Sequence, residues 1–304
     1  MKEMKLALDW TPNTNHTGFY VARSKGMYRN HGIDLEIISP EEDDYSVTPV
    51  KKLELGQVDF AIAPSESVIS LNTKARPAAA RAIAAIFEED LSAIVALSSS
   101  GIERPADLDG KIYASYQARY EDTIVKHMII NDGGKGDVNI DYPKKLGIWD
   151  TLLAKKADAT WIFLNWEGIE AKGKGVSLNK FKMDDFNIPY GYSPVIVALD
   201  ENIKGQEKDI RNFLKATKEG FLYAKEHPEQ SSSILSPYIS KRDLDNIDLM
   251  ASQKYTSRHY GGSSTWGVMR KERIVQFCQW LNKNQLETSE IPMNELFTND
   301  LLEN

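Results

Sequence analysis

Short apolar runs alternate with short helical runs from the start of the chain. Lys5-Leu6-Ala7-Leu8-Asp9-Trp10 is rich in apolar residues with only weak alternation, which suits a strand buried on both faces of a parallel sheet. Thr11-Pro12-Asn13-Thr14-Asn15 then breaks the run with turn residues. A helix is expected from about His16 to Lys25, with Gly26 as its C-terminal cap. Residues 33–38 alternate with period two, residues 50–55 form a short helix closed by Gly56, and residues 58–63 give a third apolar run. The order β-α-β-α-β joins neighbouring strands through helical crossovers, so it calls for a parallel sheet with helices packed on its faces.

A second rhythm follows. Residues 78–87 and 91–97 have strand length and composition. The turn-rich stretch 104–111 leads into a strand at 112–114, then a helix over 120–130 that ends at Asp132-Gly133-Gly134. Residues 146–157 read as helix, 159–164 as strand, 166–171 as a short helix, and 194–199 as a strand returning to the first lobe. Beyond Lys208 the chain turns helical, with Ile210, Phe213, Leu214, Thr217 and Phe221 on one face. Two β-α-β sets and a helical tail predict an α/β protein with a discontinuous first lobe, 1–90 plus 196–304, and a second lobe, 91–195. The crossings near 88–92 and 193–196 would be hinges, and the strand ends of both open sheets would face one ligand crevice.

Composition narrows the function. A chain of 304 residues with 41% hydrophobic residues can bury a core without staples. A net charge of −7 argues against nucleic acid as a partner, and with no basic run the charge gives no membrane-surface signal. The single cysteine, Cys278, sits at helical spacing with Ile274, Phe277 and Leu281 and reads as a small buried hydrophobe. The five histidines, His16, His31, His127, His227 and His259, show no ligand spacing, so no metal and no cofactor is expected. Gly133-Gly134 and Gly261-Gly262 lack the strand–loop–helix context of a phosphate loop. No run is long and apolar enough to span a membrane. Met1-Lys2-Glu3-Met4 leads straight into a strand, with no signal-peptide pattern. An exported location, periplasmic or extracellular and membrane-anchored, therefore needs an export segment removed from this sequence; the cytoplasm is the alternative.

Polar and aromatic residues gather at the ends of the strands. Trp10, Asn13 and His16 follow the first; Ser65, Glu66 and Ser67 follow the third. In the second lobe Ser115, Tyr116, Tyr120 and Glu121 follow one strand, and Asn165, Trp166 and Glu167 another, while Tyr190 and Tyr192 lie at the return crossing. Singly, each has a plainer use. A Trp after a strand usually packs, Ser65 and Ser67 can cap a helix, and Glu121 can serve a helix dipole. Together they offer flat faces in Trp10, Trp166, Tyr190 and Tyr192, and acceptors for amino groups in Glu66, Glu121 and Glu167. Asn13 both donates and accepts, as a ring nitrogen beside an exocyclic amine requires. Few arginines besides Arg119 fall among them, which favours a neutral or cationic amino-heteroaromatic over a sulfonate, phosphate or nitrate.

Leu8-Asp9-Trp10-Thr11-Pro12-Asn13-Thr14-Asn15-His16-Thr17-Gly18 closely resembles the opening of the thiamin-pyrimidine-precursor binding proteins of ABC transporters. Those proteins share a family with the fungal thiamin-pyrimidine synthases. Phe19-Tyr20-Val21-Ala22, Gly56-Gln57-Val58-Asp59-Phe60, Pro105-Ala106-Asp107-Leu108-Asp109-Gly110-Lys111, Trp166-Glu167-Gly168-Ile169-Glu170-Ala171, Tyr192-Ser193-Pro194-Val195-Ile196 and Phe297-Thr298-Asn299-Asp300 extend the resemblance along the chain.

The resemblance implies the class II periplasmic-binding-protein fold. It implies capture of N-formyl-4-amino-5-aminomethyl-2-methylpyrimidine or a close relative by a monomer, and delivery to a permease. It also implies that Trp10 and Tyr192 stack on the pyrimidine and that Glu66 and Glu121 hold its polar edge. Asn13 and His16 would line the first-lobe wall and Trp166 the second-lobe wall; from their strand-end positions Ser65, Tyr116 and Tyr190 are expected to contact the ligand as well. The synthases carry a lysine that anchors pyridoxal phosphate and a histidine used as substrate just after the third strand, where this chain reads Ala61-Ile62-Ala63-Pro64-Ser65-Glu66-Ser67-Val68. Their cysteine-rich run is replaced by Tyr190-Gly191-Tyr192-Ser193-Pro194, so a binder rather than an enzyme is expected. Ser115-Tyr116-Gln117-Ala118-Arg119-Tyr120-Glu121 departs from the Gly- and Trp-rich helix start of the transporter proteins and leaves the ligand's substituents open; riboflavin or an organic anion is the alternative.

Overall fold

A computed structural model of the chain describes residues 1–143 and 149–303. Its strands are β1 (Lys2–Ala7), β2 (Ile33–Ile38), β3 (Phe60–Ala63), β4 (Ala80–Ala85), β5 (Ser92–Leu97), β6 (Ile112–Ala114), β7 (Asn139–Asp141), β8 (Ala159–Phe163), β9 (Leu178–Phe181) and β10 (Val195–Leu199). Its helices are α1 (Thr17–Ser24), α2 (Met27–Asn30), α3 (Pro49–Glu54), α4 (Ser65–Thr73), α5 (Glu121–Asn131), α6 (Glu167–Gly173), α7 (Asp200–Glu226), α8 (Pro228–Leu235), α9 (Lys241–Leu244), α10 (Leu249–Ser257) and α11 (Lys271–Lys283). Of the helix expected over 146–157, residues 146–148 lie outside the described residues, and Trp149–Leu153 form a π-helical turn.

The chain divides into two compact units. Unit 1 comprises Met1–Asp90, Gly191–Cys278 and Glu287–Asn304; unit 2 comprises Leu91–Tyr190 and Gln279–Leu286. The return to unit 1 comes ahead of the 195/196 boundary read from the sequence. The reason is local bonding: the Ser65 N–H donates to the Tyr192 carbonyl at 2.8 Å, and the Ile86 N–H to the Pro194 carbonyl at 3.1 Å. Residues 279–286, expected in the first lobe, group with unit 2, where the Trp280 ring meets His127 edge-on at 5.3 Å.

Each unit holds one mixed sheet. Unit 1 has the order β2-β1-β3-β10-β4, with β1 parallel to β2 and β3 and with β10 antiparallel to β3 and β4. The expected parallel set is thus β2-β1-β3, and the returning strand inserts against it. The burial patterns explain the positions. Outer strand β2 alternates buried Ile33, Leu35 and Ile37 with exposed Asp34 and Glu36, while β3 and β10 are buried throughout. The free edge of β4 is covered by the C-terminal chain, which bridges Ala82 to Phe297 and Ala85 to Gly267. Unit 2 has the order β7-β6-β8-β5-β9, with β6 parallel to β7 and β8, and β5 antiparallel to β8 and β9. Strands β7 and β9 carry no sequence signal: Asn139, Asp141, Asn179 and Lys180 are polar edge residues placed by backbone pairing, to which the Asn139 and Asn179 side chains add bonds to the Gly110 and Ile102 carbonyls.

Helix α7 buries Ile210, Phe213, Leu214, Thr217 and Phe221, the face read from the sequence. Phe213 stacks 4.0 Å from Phe60 on the sheet and 5.8 Å from Tyr28. The Tyr28 and Thr217 hydroxyls share a hydrogen bond at 2.8 Å, which satisfies both inside the core. Burial pushes the Cys278 thiol up to about 12, as suits an inert core residue. Helices α1 and α7 approach so closely that a Cβ on Gly220 would overlap the Gly18 carbonyl oxygen. Gly220→Ala is expected to lower the unfolding free energy by about 2 kcal/mol in urea denaturation, because backbone must move to admit the methyl.

Candidate functional site

The carboxyl ends of β2, β1 and β3 lie side by side, and antiparallel β10 begins at the same edge of the sheet. Ligands bind at such edges because side chains and helix N-termini converge there. After β1, Asn13 caps the turn Thr14–His16: its Oδ1 accepts from the Asn15 N–H at 2.8 Å, and its Nδ2 donates to the Thr11 carbonyl at 3.0 Å. His16 has no exposed surface. Its Nδ1 accepts from the Asn13 N–H at 3.2 Å, so Nε2 carries the proton and donates to Asp9 at 2.8 Å. The loop is fastened from behind by α10: Thr17 donates to Gln253 at 2.6 Å, and the Thr14 and Ser252 hydroxyls meet at 2.9 Å. This loop presents Asp9 and Trp10, with Trp10 39% exposed.

After β3, Pro64 caps α4 through its backbone, so Ser65 is the first helical residue and not the cap. Its Oγ instead accepts from the Tyr192 N–H at 3.0 Å, a contact that needs Gly191, where a Cβ would overlap that oxygen. Glu66 is buried in the first turn of α4, where the helix N-terminus favours a carboxylate. Tyr192 is buried; its hydroxyl accepts from the Arg270 N–H at 2.8 Å, and the Arg273 guanidinium lies 4.4 Å from its ring centre. An arginine therefore does stand at this edge, contrary to the sequence reading. It comes from α11, far along the chain, and reaches the edge only through the fold.

In unit 2 the loop after β6 closes on Glu121. Its carboxylate accepts from the Tyr113 hydroxyl at 2.7 Å, the Tyr116 N–H at 2.9 Å and the Ala118 N–H at 3.2 Å. Burial pushes the Glu121 carboxyl up, opposed by these donors. Burial, then the Glu167 and Glu121 carboxylates, raise the Tyr116 phenol well above its usual range. After β8, Trp166 is buried at the start of α6, and Glu167 accepts from the Phe163 N–H at 3.0 Å. Tyr190 is buried edge-on against Trp161 at 5.5 Å. Arg119 is exposed, 5.7 Å from the Tyr120 ring.

The structure thus separates the expected residues by role. In unit 1, Trp10, Glu66 and Tyr192 stand at one sheet edge, while Asn13, His16 and Ser65 spend their polar atoms on holding the loops there. In unit 2, Glu121 holds the loop that carries Tyr116 through the Tyr113 hydroxyl and two backbone N–H groups. Asp9 and Tyr45 also belong to the unit 1 edge. Asp9 closes an apolar run and carries a strand-end signal; Tyr45 lies in a loop whose contact with Trp10 is set by the fold. Among the described residues no three His, Cys, Asp or Glu side chains gather as a metal site would need.

The family description NMT1/THI5 like matches residues 13–231. The chain belongs to this family. The formylaminopyrimidine-binding protein of Halalkalibacterium halodurans is 23% identical to it, over 82% of this chain and 74% of the relative's length. A 4-amino-5-hydroxymethyl-2-methylpyrimidine phosphate synthase of Saccharomyces cerevisiae, THI5, is 23% identical over 88% of this chain and 79% of its own. Among solved structures, a Candida albicans protein described as having the generic periplasmic binding protein fold superposes with a TM-score of 0.71 at 15% identity, covering 98% of this chain and 97% of that one. The fold is that of the periplasmic binding proteins. Family members thus include both binders and enzymes.

Glu121→Gln tests the loop assignment. The amide would turn N–H groups toward N–H donors, so thermal or urea unfolding is expected to show a loss of about 1–3 kcal/mol. Unchanged stability would mean that Glu121 does not hold the loop.

Proposed function

We propose that the chain is a solute-binding protein that captures a thiamin pyrimidine precursor, N-formyl-4-amino-5-aminomethyl-2-methylpyrimidine or a close relative, for an ABC-transporter permease. The observation that carries this reading is the unit 1 edge: the exposed indole of Trp10 beside Asp9, in the same row of strand ends as the buried carboxylate Glu66. A flat ring with amino substituents matches an aromatic face flanked by carboxylates. The formylaminopyrimidine-binding relative supports the same ligand class. In this reading Trp10 and Tyr192 contact the ring and Glu66 accepts from an amino group. Asn13, His16 and Ser65 position them. Each unit is one lobe of a monomeric binder that works outside the cytoplasmic membrane. No helix among the described residues is long and apolar enough to cross a membrane.

The residues after β3 bear on catalysis. Pro64, Ser65, Glu66 and Ser67 offer neither an amine to anchor pyridoxal phosphate nor an imidazole, which favours capture over synthesis. A second reading rests on Arg273: a guanidinium over Tyr192 suits a ligand with an anionic substituent.

Calorimetric titration separates the two. With the formylated aminopyrimidine, Glu66→Gln is expected to cost about 1–3 kcal/mol of binding, because the amide presents donors to a donor. Arg273→Met should then change little. The reverse pattern, with an organic anion as the better ligand, favours the second reading. No binding of the pyrimidine at millimolar concentration overturns the first.

A further inference from the structure

Tyr45 belongs to no helix or strand, and its backbone is held in an unfavourable region. The loop after β2 turns through Pro40–Asp43 and then places Asp44 at φ 52° and Tyr45 at φ 60°. Two successive non-glycine residues in the left-handed region are uncommon, and a bulky aromatic there is costly. Two contacts hold the conformation. The Tyr45 N–H donates to the Pro40 carbonyl at 2.9 Å. Lys52, buried on α3, pairs with Asp43 at 2.9 Å.

The outcome is an aromatic pair. The Tyr45 ring lies 5.6 Å from the Trp10 ring, tilted by 58°, and the two residues remain 45% and 39% exposed. They project from the carboxyl ends of neighbouring parallel strands, β2 and β1. Two large aromatics kept together, half in water, by a strained loop and a buried lysine do not serve the core.

We propose that Tyr45 is a ligand-contacting residue that forms one aromatic wall with Trp10 for a flat heteroaromatic ring, and that the Lys52–Asp43 pair positions it. This rests on the binding function proposed above but names a residue that sequence resemblance did not. The tilt gives the wall a corner, so it grips a ring face and an adjoining edge and discriminates by ring size.

The test uses the full chain, with the formylated aminopyrimidine and riboflavin as probes in calorimetry. Tyr45→Gly removes the ring and relieves the left-handed backbone, so thermal stability should hold or rise. Affinity should fall roughly tenfold, the scale of one lost aromatic contact. Tyr45→Phe keeps the ring and should stay within about threefold of the parent, losing only the hydroxyl. Lys52→Met should weaken binding in the parent but not in Tyr45→Gly, a non-additivity that general destabilisation would not produce. Should Tyr45→Gly fail to fold, Tyr45→Asn, which also tolerates the left-handed region, carries the same expectation. If the parent binds the pyrimidine and Tyr45→Gly binds it equally well, the wall is overturned and the function stands. If the parent binds riboflavin alone and Tyr45→Gly weakens it, the wall stands and the pyrimidine reading falls. Binding of neither probe overturns both.

Discussion

One buried imidazole organises the first sheet's edge. His16 accepts a hydrogen bond from the Asn13 N–H on one ring nitrogen and donates one to Asp9 from the other, which ties the turn at both ends. Because the ring is fully buried, an unmet nitrogen would cost on the order of 1–3 kcal/mol, and neither is left unmet. The threonines of the same turn are bonded to α10 on the other side. Trp10 is therefore carried on a segment fixed at both its front and its back. Preorganisation of this kind lowers the entropy lost when a ligand is held.

The same economy recurs in each unit. Asn13 caps its own turn and Ser65 bonds to Tyr192 in unit 1, and Glu121 gathers the loop after β6 in unit 2. What the unit 1 fastenings present is chiefly apolar or ionic surface, in Trp10, Tyr45, Glu66 and Tyr192.

Much of the fold was legible. The β-α-β-α-β order gave β1, β2 and β3 within a few residues, because buried parallel strands are apolar and their crossover helices end at Gly26 and Gly56. The face of α7 was legible from its spacing. Strands β7 and β9 were not, because their polar residues carry no alternating apolar pattern and pair with partners that only the fold brings alongside. Strand-end position placed Trp10, Glu66 and Tyr192 at the unit 1 sheet edge, but not the hydrogen bonds by which Asn13 and His16 hold their turn there and Glu121 holds its loop in unit 2. Those bonds depend on which lone pairs each loop consumes. Arg273 and Tyr45 were hidden for a different reason: α11 and the loop after β2 reach the edge only through tertiary packing.

The central claim is that the indole of Trp10 meets the ligand ring. Nitrogen-15 NMR of the tryptophan indole groups tests it most directly, with the Trp10 signal assigned from a Trp10→Phe variant. On titration with the formylated aminopyrimidine, the Trp10 resonance should shift in step with saturation. Binding that moves other tryptophan signals while Trp10 stays still would contradict the account.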